Sequence, residues 1–477
     1  MHPVLLWFRR DLRLSDNPAL AAALKSQRPI LPIYILDETP GLRPLGAASR
    51  WWLDKSLKAL GDELQSRGSR LLLRRGVAAD ILADLVEGTG AGDLFFNAIF
   101  EPKTEQRDRD LARQLDQTNC KAHRFNGGHL LASDLPLTKT GGSYSVFTPY
   151  WRAARGHIDA GLHVPAPDTL AQPEHWPASE SLDSWILHPS KPDWSEGFSD
   201  WSPGEAAASN RLTDFVDQGL STYSQDRDIP SVVGTSRLSP HLAFGEISPK
   251  TCWRAAVSAT HRATVPETQA EKFLAELGWR EFNTQIAGRH EDLALINFNS
   301  AFDRFNWRDD PDGFRAWTRG ETGYPIVDAG MRQLWKTGWM HNRVRMVVAS
   351  FLTKHLMIDW RLGEQWFWDT LVDADLASNP GNWQWVAGSG ADAAPYFRIF
   401  SPMAQGAKFD PAGHYVSRWV PELRRLPAKL IHSPWLAPQE ILSRANVRLG
   451  FDYPVPIVDH DFARKRALEG YAGLKGS

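Results

Sequence analysis

The first 125 residues alternate short apolar runs with helical patterns, and this alternation restricts the fold more than any other feature of the chain. Apolar runs of strand length lie at residues 4–8, 29–36, 70–74, 93–97 and 121–125. Helical patterns separate them, at about residues 18–27, 48–67, 78–87 and 104–116. Strands that alternate with helices predict a parallel, doubly wound sheet with ligands at the carboxyl ends of its strands. The G-x-G-x-x-G fingerprint of dinucleotide-binding domains does not follow the first run.

A segment rich in Pro, Ser and Asp separates this region from a chain with a different periodicity. After it, apolar residues recur at helical spacing, in patterns at residues 205–218, 249–260, 268–288, 312–319, 324–337, 340–360, 363–371 and 421–429. A chain of 477 residues is long enough for two or three domains. We predict an α/β domain over residues 1–130, a connector over residues 131–204 and an all-α domain over residues 205–477.

Charge and cysteine content limit the partners and the compartment. The net charge is -2 and the pI is about 6.7, so any positive potential for nucleic acid must be local. The two cysteines, Cys120 and Cys252, are too few for a disulfide framework and fit a reducing compartment. The apolar run Val4–Phe8 is far too short for a signal peptide or a membrane span. We therefore expect a cytoplasmic monomer without a membrane segment.

Tryptophans and buried charge concentrate in one part of the second region. Nine of the 21 tryptophans lie in residues 301–400, which indicates a stacking surface or an aromatic ligand besides ordinary packing. On the helix predicted over residues 340–360, Asn342, Arg345 and Met346 share one face, opposite an apolar face. Because an unpaired buried charge is costly, Arg345 needs a partner, and Asp373 or Asp375 could provide it. An internal ion pair and a polar site both remain open.

The run Gly234–Pro240 combines hydroxyl groups, an arginine and a helix start, where free backbone N–H groups favour an anion. A phosphate or pyrophosphate would fit there, although helix capping alone would explain Ser239.

The helix predicted near residue 276 carries a carboxylate with two interpretations. Glu276 and Arg280 are spaced for an ordinary surface pair. Alternatively, Glu276 lies in an apolar stripe that would raise its pKa and let it donate a proton or a hydrogen bond.

Metal and hydrolase motifs are weak. Asp373-Ala-Asp375 has no third ligand at suitable spacing, so we predict no metal site there. No H-E-x-x-H or G-x-S-x-G motif is present.

Several long motifs resemble the photolyase/cryptochrome flavoproteins, in the order in which that family has them. They lie at Trp7–Leu20, Gly234–Pro249, Trp279–Phe282, Thr322–Met346, Asp373–Trp385 and Pro395–Pro402. The resemblance spans nearly the whole chain. It implies an N-terminal α/β antenna domain, a connector and a helical domain that holds FAD.

By the same resemblance, a set of residues would contact the flavin: Tyr223, Thr235, Ser236, Leu238, Ser239, Arg280, Arg345, Asp373, Asp375 and Asn379. Asn379 stands where the family places a residue beside the flavin N5. Asparagine there is similar to the photolyases, whereas plant cryptochromes typically have aspartate and insect cryptochromes cysteine.

The resemblance also implies a substrate, cyclobutane pyrimidine dimers in damaged DNA. The residues that would line the cavity for the flipped-out dimer are Glu276, Trp279, Asn342, Met346 and Trp385. Enzymes for pyrimidine-pyrimidone photoproducts have histidines at the positions of Asn342 and Met346. In the implied reaction, excited reduced flavin passes an electron to the dimer, and Glu276, Asn342, Met346 and Asn379 form the reaction site. Arg227 and Arg343 would bind DNA phosphates.

Trp383, Trp360 and Trp307 match the tryptophans that relay electrons to the flavin in this family. For a second, light-harvesting chromophore, Thr104 stands where well-known folate-binding members have an acidic residue. Residues 48–53 resemble instead the class III photolyases and their differently built folate pocket. We expect methenyltetrahydrofolate first and a deazaflavin second.

The resemblance thus predicts light-driven repair of cyclobutane pyrimidine dimers. The alternative is a cryptochrome-type photoreceptor that binds flavin without repairing DNA. Such receptors usually carry a long C-terminal extension, whereas this sequence ends at Ser477.

Overall fold

The computed structural model describes residues 2–132, 134–290, 292–393 and 397–474. The start of the motif at Pro395–Pro402 and the last three residues of the predicted helical domain lie outside these ranges.

The N-terminal region is a five-stranded sheet, as predicted. Its strands are β1 (Val4–Phe8), β2 (Ile30–Asp37), β3 (Leu72–Gly76), β4 (Asp93–Asn97) and β5 (Lys121–Phe125). They pair in parallel in the order β3-β2-β1-β4-β5, with Val4 opposite Ile30 and Leu5 opposite Leu94. All five residues of the central strand β1 are buried, because helices cover both faces of the sheet.

Four helices connect the strands: α1 (Pro18–Lys25), α2 (Ala47–Ser66), α3 (Ala78–Thr89) and α4 (Pro102–Leu115). Side-chain caps fix two of their starts. The Asn17 side chain accepts the backbone N–H of Leu20, and Glu101 accepts that of Thr104.

The segment between sheet and helical region packs on both. It contains α5 (Phe147–Ala154) and short 3-10 turns. Its residues Leu170 and Trp185 join the core on one face of the sheet, while the α5 residue Tyr150 is buried against α10.

The remaining chain is helical, as predicted, although residues 421–429 form a 3-10 turn (Pro421–Leu423) and only the start of a short helix, where one helix was predicted. Its helices are α6 (Glu205–Asp214), α7 (Tyr223–Asp226), α8 (Ser239–Ala243), α9 (Pro249–His261), α10 (Glu267–Ala287), α11 (Pro311–Arg319), α12 (Pro325–Thr337), α13 (Asn342–Ser350), α14 (Trp360–Thr370), α15 (Ser378–Ala387), α16 (Pro402–Phe409), α17 (His414–Trp419), α18 (Ala428–Ile431), α19 (Gln439–Ala445) and α20 (His460–Gly473). Within the described ranges, none of the helices is both long and apolar enough to cross a membrane.

The single helix predicted over residues 340–360 is wrong. Helix α13 is followed by a π-helical turn, Phe351–His355, and α14 begins only at Trp360. Between them Met357 has a φ of 54°, and the Asp359 side chain caps α14 by accepting the backbone N–H of Arg361. The break turns the chain so that α13 and α14 contribute separate walls to one cavity.

Candidate functional site

The helical region surrounds a cavity of about 520 Å³, within the size range of small-molecule sites. Nearly all site residues expected from the sequence line it. The set comprises Tyr223, Arg227, Thr235, Ser236, Leu238, Ser239, Glu276, Trp279, Arg280, Asn342, Arg343, Arg345, Met346, Asp373, Asp375, Asn379, Trp383 and Trp385. Trp307 and Trp360 do not line it. Residues more than 160 positions apart in the chain thus meet at one place.

Helix α13 places its polar face on this cavity. Asn342, Arg345 and Met346 line the cavity wall, whereas Val344 and Val348 are buried in the largest core cluster. On that apolar side α12 approaches closely, because a Cβ on Gly330 would collide with both valines. The two non-solvent faces predicted for this helix are confirmed.

Arg345 forms a bidentate ion pair with Asp373. Its two terminal nitrogens lie 3.1 and 2.8 Å from the two carboxylate oxygens, and its Nε–H donates to the Met340 carbonyl over 2.7 Å. The Asp373 side chain is only 2% exposed and also accepts the Ser239 hydroxyl over 2.6 Å. Such planar pairing fixes both side chains on the cavity wall. The predicted ion pair is confirmed with Asp373 as the partner, and the pair lies on the wall of the cavity.

Ser239 does not cap α8, contrary to the capping interpretation. Its hydroxyl is committed to Asp373, and the residue preceding the helix, Leu238, makes no side-chain cap. The residues Thr235 to Ser239 instead line one end of the cavity.

Asp375 lies at the start of α15, where its carboxylate accepts the backbone N–H groups of Ala377 and Ser378. Burial opposes its ionisation, but the charges of Arg280 and Arg10 and these backbone donors hold its pKa below the usual value. The carboxylate is thus a fixed negative charge near the cavity floor. Within the described residues, no cluster of three or more His, Cys, Asp or Glu side chains could hold a metal ion.

The expected environment of Glu276 is wrong on both interpretations. Its carboxylate pairs with Arg227, from the end of α7, and Lys272 lies 3.9 Å away. Arg280 instead donates to the Gly128 carbonyl over 2.8 Å. Glu276 is therefore one member of a charged pair at the cavity mouth. The sequence around Glu276 on α10 is largely apolar, but the end of α7 brings the Arg227 guanidinium group next to it.

Two indoles form rigid aromatic walls. Trp279 stacks on Phe147, with ring centroids 3.8 Å apart and planes 8° from parallel. The Trp385 Nε1–H donates to the Asp392 carbonyl over 3.0 Å. Their faces border the cavity and offer flat surfaces for an aromatic ligand.

Asn379 is held by a residue that the sequence analysis missed. Its side-chain amide donates to the Glu364 carboxylate over 2.8 Å and to the Glu364 backbone carbonyl over 3.1 Å. Arg43, from the N-terminal region, in turn holds Glu364 with two bonds of 2.7 and 2.8 Å. No local pattern relates Arg43 to Glu364, which lie 321 positions apart.

The three relay candidates differ in burial. Trp383 lines the cavity and Trp360 is fully buried, with its Nε1–H donating to Asn297 over 2.9 Å. Gly363, three residues after Trp360 on α14, lies against the Trp383 ring. Trp307 is half-buried, and its ring centroid is 4.4 Å from that of Phe305. All three pack on the same hydrophobic core.

Positive charge concentrates beside the cavity mouth. Arg343 pairs with Asp228 over 2.9 Å and lines both the cavity and a wider groove of about 840 Å³. The groove also carries Arg398, Lys408 and Arg464. A chain with a net charge of -2 therefore has a local basic surface.

The strand ends of the sheet, where a ligand is expected in a doubly wound fold, are filled by charged pairs. Arg9 pairs with Asp108 over 2.8 Å, and Arg107 pairs with Asp37. A crevice of only about 50 Å³ remains nearby, between the sheet and α10. Thr104 donates its hydroxyl to Glu101 over 2.6 Å and so serves the helix start.

Comparisons with known proteins agree over the whole chain. Residues 4–170 match the family model for DNA photolyase, and residues 273–473 match that for the FAD binding domain of DNA photolyase. The chain is 51% identical over 474 residues to the deoxyribodipyrimidine photo-lyase of Agrobacterium fabrum, covering 99% of this chain and 98% of that protein. A bacterial class III photolyase structure from Agrobacterium tumefaciens matches with a TM-score of 0.97 and 50% identity, covering 100% and 98% of the two chains. Cryptochrome-1 of Arabidopsis thaliana is 37% identical over 485 residues, covering 98% of this chain but 70% of that protein.

Proposed function

The chain belongs to the DNA photolyase family, and we propose from that premise that it is a light-driven deoxyribodipyrimidine photo-lyase acting on cyclobutane pyrimidine dimers. One observation carries the proposal: a single cavity collects both the polar groups proposed for the cofactor and the aromatic walls proposed for the lesion. The cryptochrome alternative is weaker, because the cryptochrome relative is more distant than the photo-lyase relative.

FAD fits the chemistry of the cavity. The hydroxyls of the segment Thr235–Ser239 suit a diphosphate, and Arg345 and Asp373 offer paired donors and acceptors to a polar ring. The other proposed cofactor contacts are Tyr223, Arg280, Asp375 and Asn379. When bound and reduced, FAD supplies the electron that light makes available.

We propose that a dimer leaves the duplex and enters between Trp279 and Trp385. Extrusion costs a few kcal/mol, and less for a poorly paired lesion. The flat indoles recover part of this cost by stacking. Asn342 and Met346, one turn apart on α13, border the same space and select the lesion by shape and hydrogen bonding.

The charged pair at the mouth gives Glu276 a role that depends on DNA. A lesion phosphate would compete for Arg227, and a neighbouring phosphate for Arg343, which Asp228 holds in the free protein. Once Arg227 turns to the DNA, the Glu276 carboxyl group is free to face the dimer. In its protonated form it would donate a hydrogen bond to the dimer carbonyl on which negative charge develops.

Trp383, Trp360 and Trp307 are proposed as the relay that returns the cofactor to its reduced state. Trp383 and Trp360 are buried and Trp307 is half-buried, which suits transfer from an external reductant inwards through Trp307.

For the antenna we propose methenyltetrahydrofolate, with a deazaflavin second. The similarity to a class III photolyase supports the first. Neither chromophore fits the crevice of about 50 Å³ at the strand ends without rearrangement. We therefore expect the antenna site elsewhere on the α/β domain.

We assign antenna function to residues 1–130, a connecting role to residues 131–204, and cofactor and DNA binding to residues 205–477. Two buried, unpaired cysteines fit the cytoplasm. We propose that the enzyme acts there as a monomer.

The test is loss of dimers from an irradiated oligonucleotide under blue light, using enzyme with prereduced flavin. We expect light-dependent repair, and Glu276→Gln should lower the yield per absorbed photon while leaving bound flavin unchanged. Lys272→Gln, which alters the neighbouring charge but not the proposed donor, is the matched control. A flavin-loaded protein without light-dependent repair would support the photoreceptor alternative instead.

A further inference from the structure

Three arginines without a carboxylate partner lie beside the flavin cavity. They are Arg211 on α6, Arg237 in the segment between Gly234 and Ser239, and Arg418 on α17. In the described parts of the chain, none of the three guanidinium groups forms a salt bridge or donates a hydrogen bond. Arg237 lines the cavity, whereas Arg211 and Arg418 lie outside it. By contrast, the buried Arg9 and Arg107 are paired with aspartates.

Two of these arginines are held against tryptophan faces. The Arg237 guanidinium carbon lies 4.9 Å from the Trp201 ring centroid and 4.7 Å from that of Trp339. The Arg211 guanidinium carbon lies 5.4 Å from the same Trp201 ring. Because the Trp201 Nε1–H already donates to the Thr337 carbonyl, the ring offers its face alone. The contacts orient both cations and leave their donors unused.

Buried donors and mutual repulsion favour the binding of an anion here. The Nε–H groups of Arg211 and Arg237 are both buried and donate to no described atom. Burial lowers the pKa of Arg237 first, and the charges of Arg211 and Arg418 lower it further, while Asp200 opposes them. The Arg237 backbone has a φ of 51°, a strained conformation for a residue other than glycine. The positive φ and the repulsion between like charges both cost free energy, and a bound anion would offset the repulsion.

We propose that Arg211 and Arg237, held against the same Trp201 ring, form a second anion site beside the flavin cavity that binds a small phosphate-type oxyanion. Guanidinium groups match the oxygens of phosphate with two parallel donors each. Both side chains are half-buried, so the ion can enter from solvent. Because Arg237 also borders the cavity, its guanidinium group could instead bind the diphosphate of the flavin. Of these two ligands, we propose the free ion.

The test is calorimetric titration of inorganic phosphate into the FAD-loaded protein, in a phosphate-free buffer of constant ionic strength. Two charge-assisted hydrogen bonds suffice for a dissociation constant of about 1 mM, at one ion per chain. Arg211→Gln should weaken binding roughly 10-fold or more. Arg444→Gln, which alters an exposed arginine paired with Glu440, is the matched control and should bind as the unmodified protein does.

Flavin content and dimer repair should stay unchanged in Arg211→Gln. Failure of the anion-site proposal can therefore be distinguished from failure of the proposed repair function. The proposal is overturned if the FAD-loaded protein shows no saturable binding, or if Arg211→Gln binds phosphate as tightly as the control. Binding to flavin-free protein alone would assign the arginines to the cofactor diphosphate. Displacement by undamaged oligonucleotide would assign them to the DNA surface. Either result also rejects a separate site.

Discussion

Both halves of the molecule set arginines against aspartates where a ligand is expected, but the helical half leaves far more space there. At the strand ends, Arg9 lies over the rings of Trp7 and Phe96, at 4.7 and 4.8 Å, and pairs with Asp108. A crevice of about 50 Å³ remains near these strand ends, against about 520 Å³ in the helical cavity. The same type of pair closes one site and lines the other.

The two sites differ in how many partners each charged group has and in whether any of these groups still faces open space. Asp108 accepts from both Arg9 and Arg107, so the charges at the strand ends satisfy one another and fill the space. Arg345 and Asp373 form a bidentate ion pair on the cavity wall, and the Arg345 side chain stays 23% exposed towards the cavity. A buried ion pair therefore indicates a binding site only when one of its members still faces open space.

Replacing the carboxylate at the strand ends should give the largest loss of stability. Asp108→Asn leaves the buried Arg9 without its counter-ion beside Arg107, which keeps only Asp37, at a cost of about 3–5 kcal/mol. Urea unfolding should show this loss, with flavin content per folded chain unchanged. Asp110→Asn, on the same helix but exposed, should cost less than about 1 kcal/mol. Flavin loss from folded Asp108→Asn protein would contradict the separation of the two halves.

The second largest expected effect is a loss of folding stability of the helical half as the pH falls. His341 caps α13 by accepting the Arg343 backbone N–H, and burial lowers its pKa from 6.5 to about 4. Stability is full above pH 6.5, where folded and unfolded chains both keep the ring neutral. As pH falls from 6.5 to 4, only the unfolded chain gains the proton, so about 3 kcal/mol should be lost.

Unfolding midpoints between pH 8 and pH 4 measure this slope. His341→Asn keeps a capping oxygen but does not titrate, so its profile should be flatter over the same range. A slope as steep as that of the unmodified protein would assign the loss to other groups, with the buried His355 the first to examine.

Removing the carboxylate on the cavity wall should cost less stability but affect the cofactor. Asp373→Asn takes the counter-ion from Arg345, which the cavity still solvates in part, so we expect a loss of about 2 kcal/mol. Flavin retention after gel filtration, read from absorbance, should fall. Asp228→Asn, which removes the half-exposed partner of Arg343, should retain flavin. Equal retention in both variants would remove Asp373 from the cofactor site.

The sequence predicted regular structure and one surface of the cavity well. The bounds of β1, β4 and β5 were predicted to the residue. The central strand β1 is a fully buried apolar run, as expected for a parallel strand covered on both faces, whereas the edge strand β5 is only half-buried. The polar face of α13 followed from helical spacing, and the family resemblance supplied the rest of the residue set that meets in the cavity. That their roles are those of the family remains a prediction.

Pairings between distant segments could not be predicted. Arg227 and Glu276 lie 49 positions apart, so the stripe around Glu276 looked apolar along its own helix. Arg43 and Glu364 meet across the domain boundary, which no periodicity records. The break between α13 and α14 depends on a positive φ at Met357 and a cap from Asp359, both too local to interrupt the helical pattern.

The smallest expected effect is on a rate, the photoreduction of the cofactor, and it concerns the proposed tryptophan relay on the cavity wall. Trp383→Phe keeps an aromatic ring against Phe367 but removes the residue proposed to pass charge from Trp360 to the cofactor. Photoreduction of oxidised enzyme should slow roughly 10-fold or more, equivalent to about 1.4 kcal/mol. Repair by chemically prereduced enzyme should continue, because the relay is not needed once the cofactor is reduced. Trp435→Phe, which packs on Tyr324 outside the cavity, should photoreduce normally. Equal loss of photoreduction and repair in Trp383→Phe would show that this residue shapes the cavity and does not serve as a separate electron path.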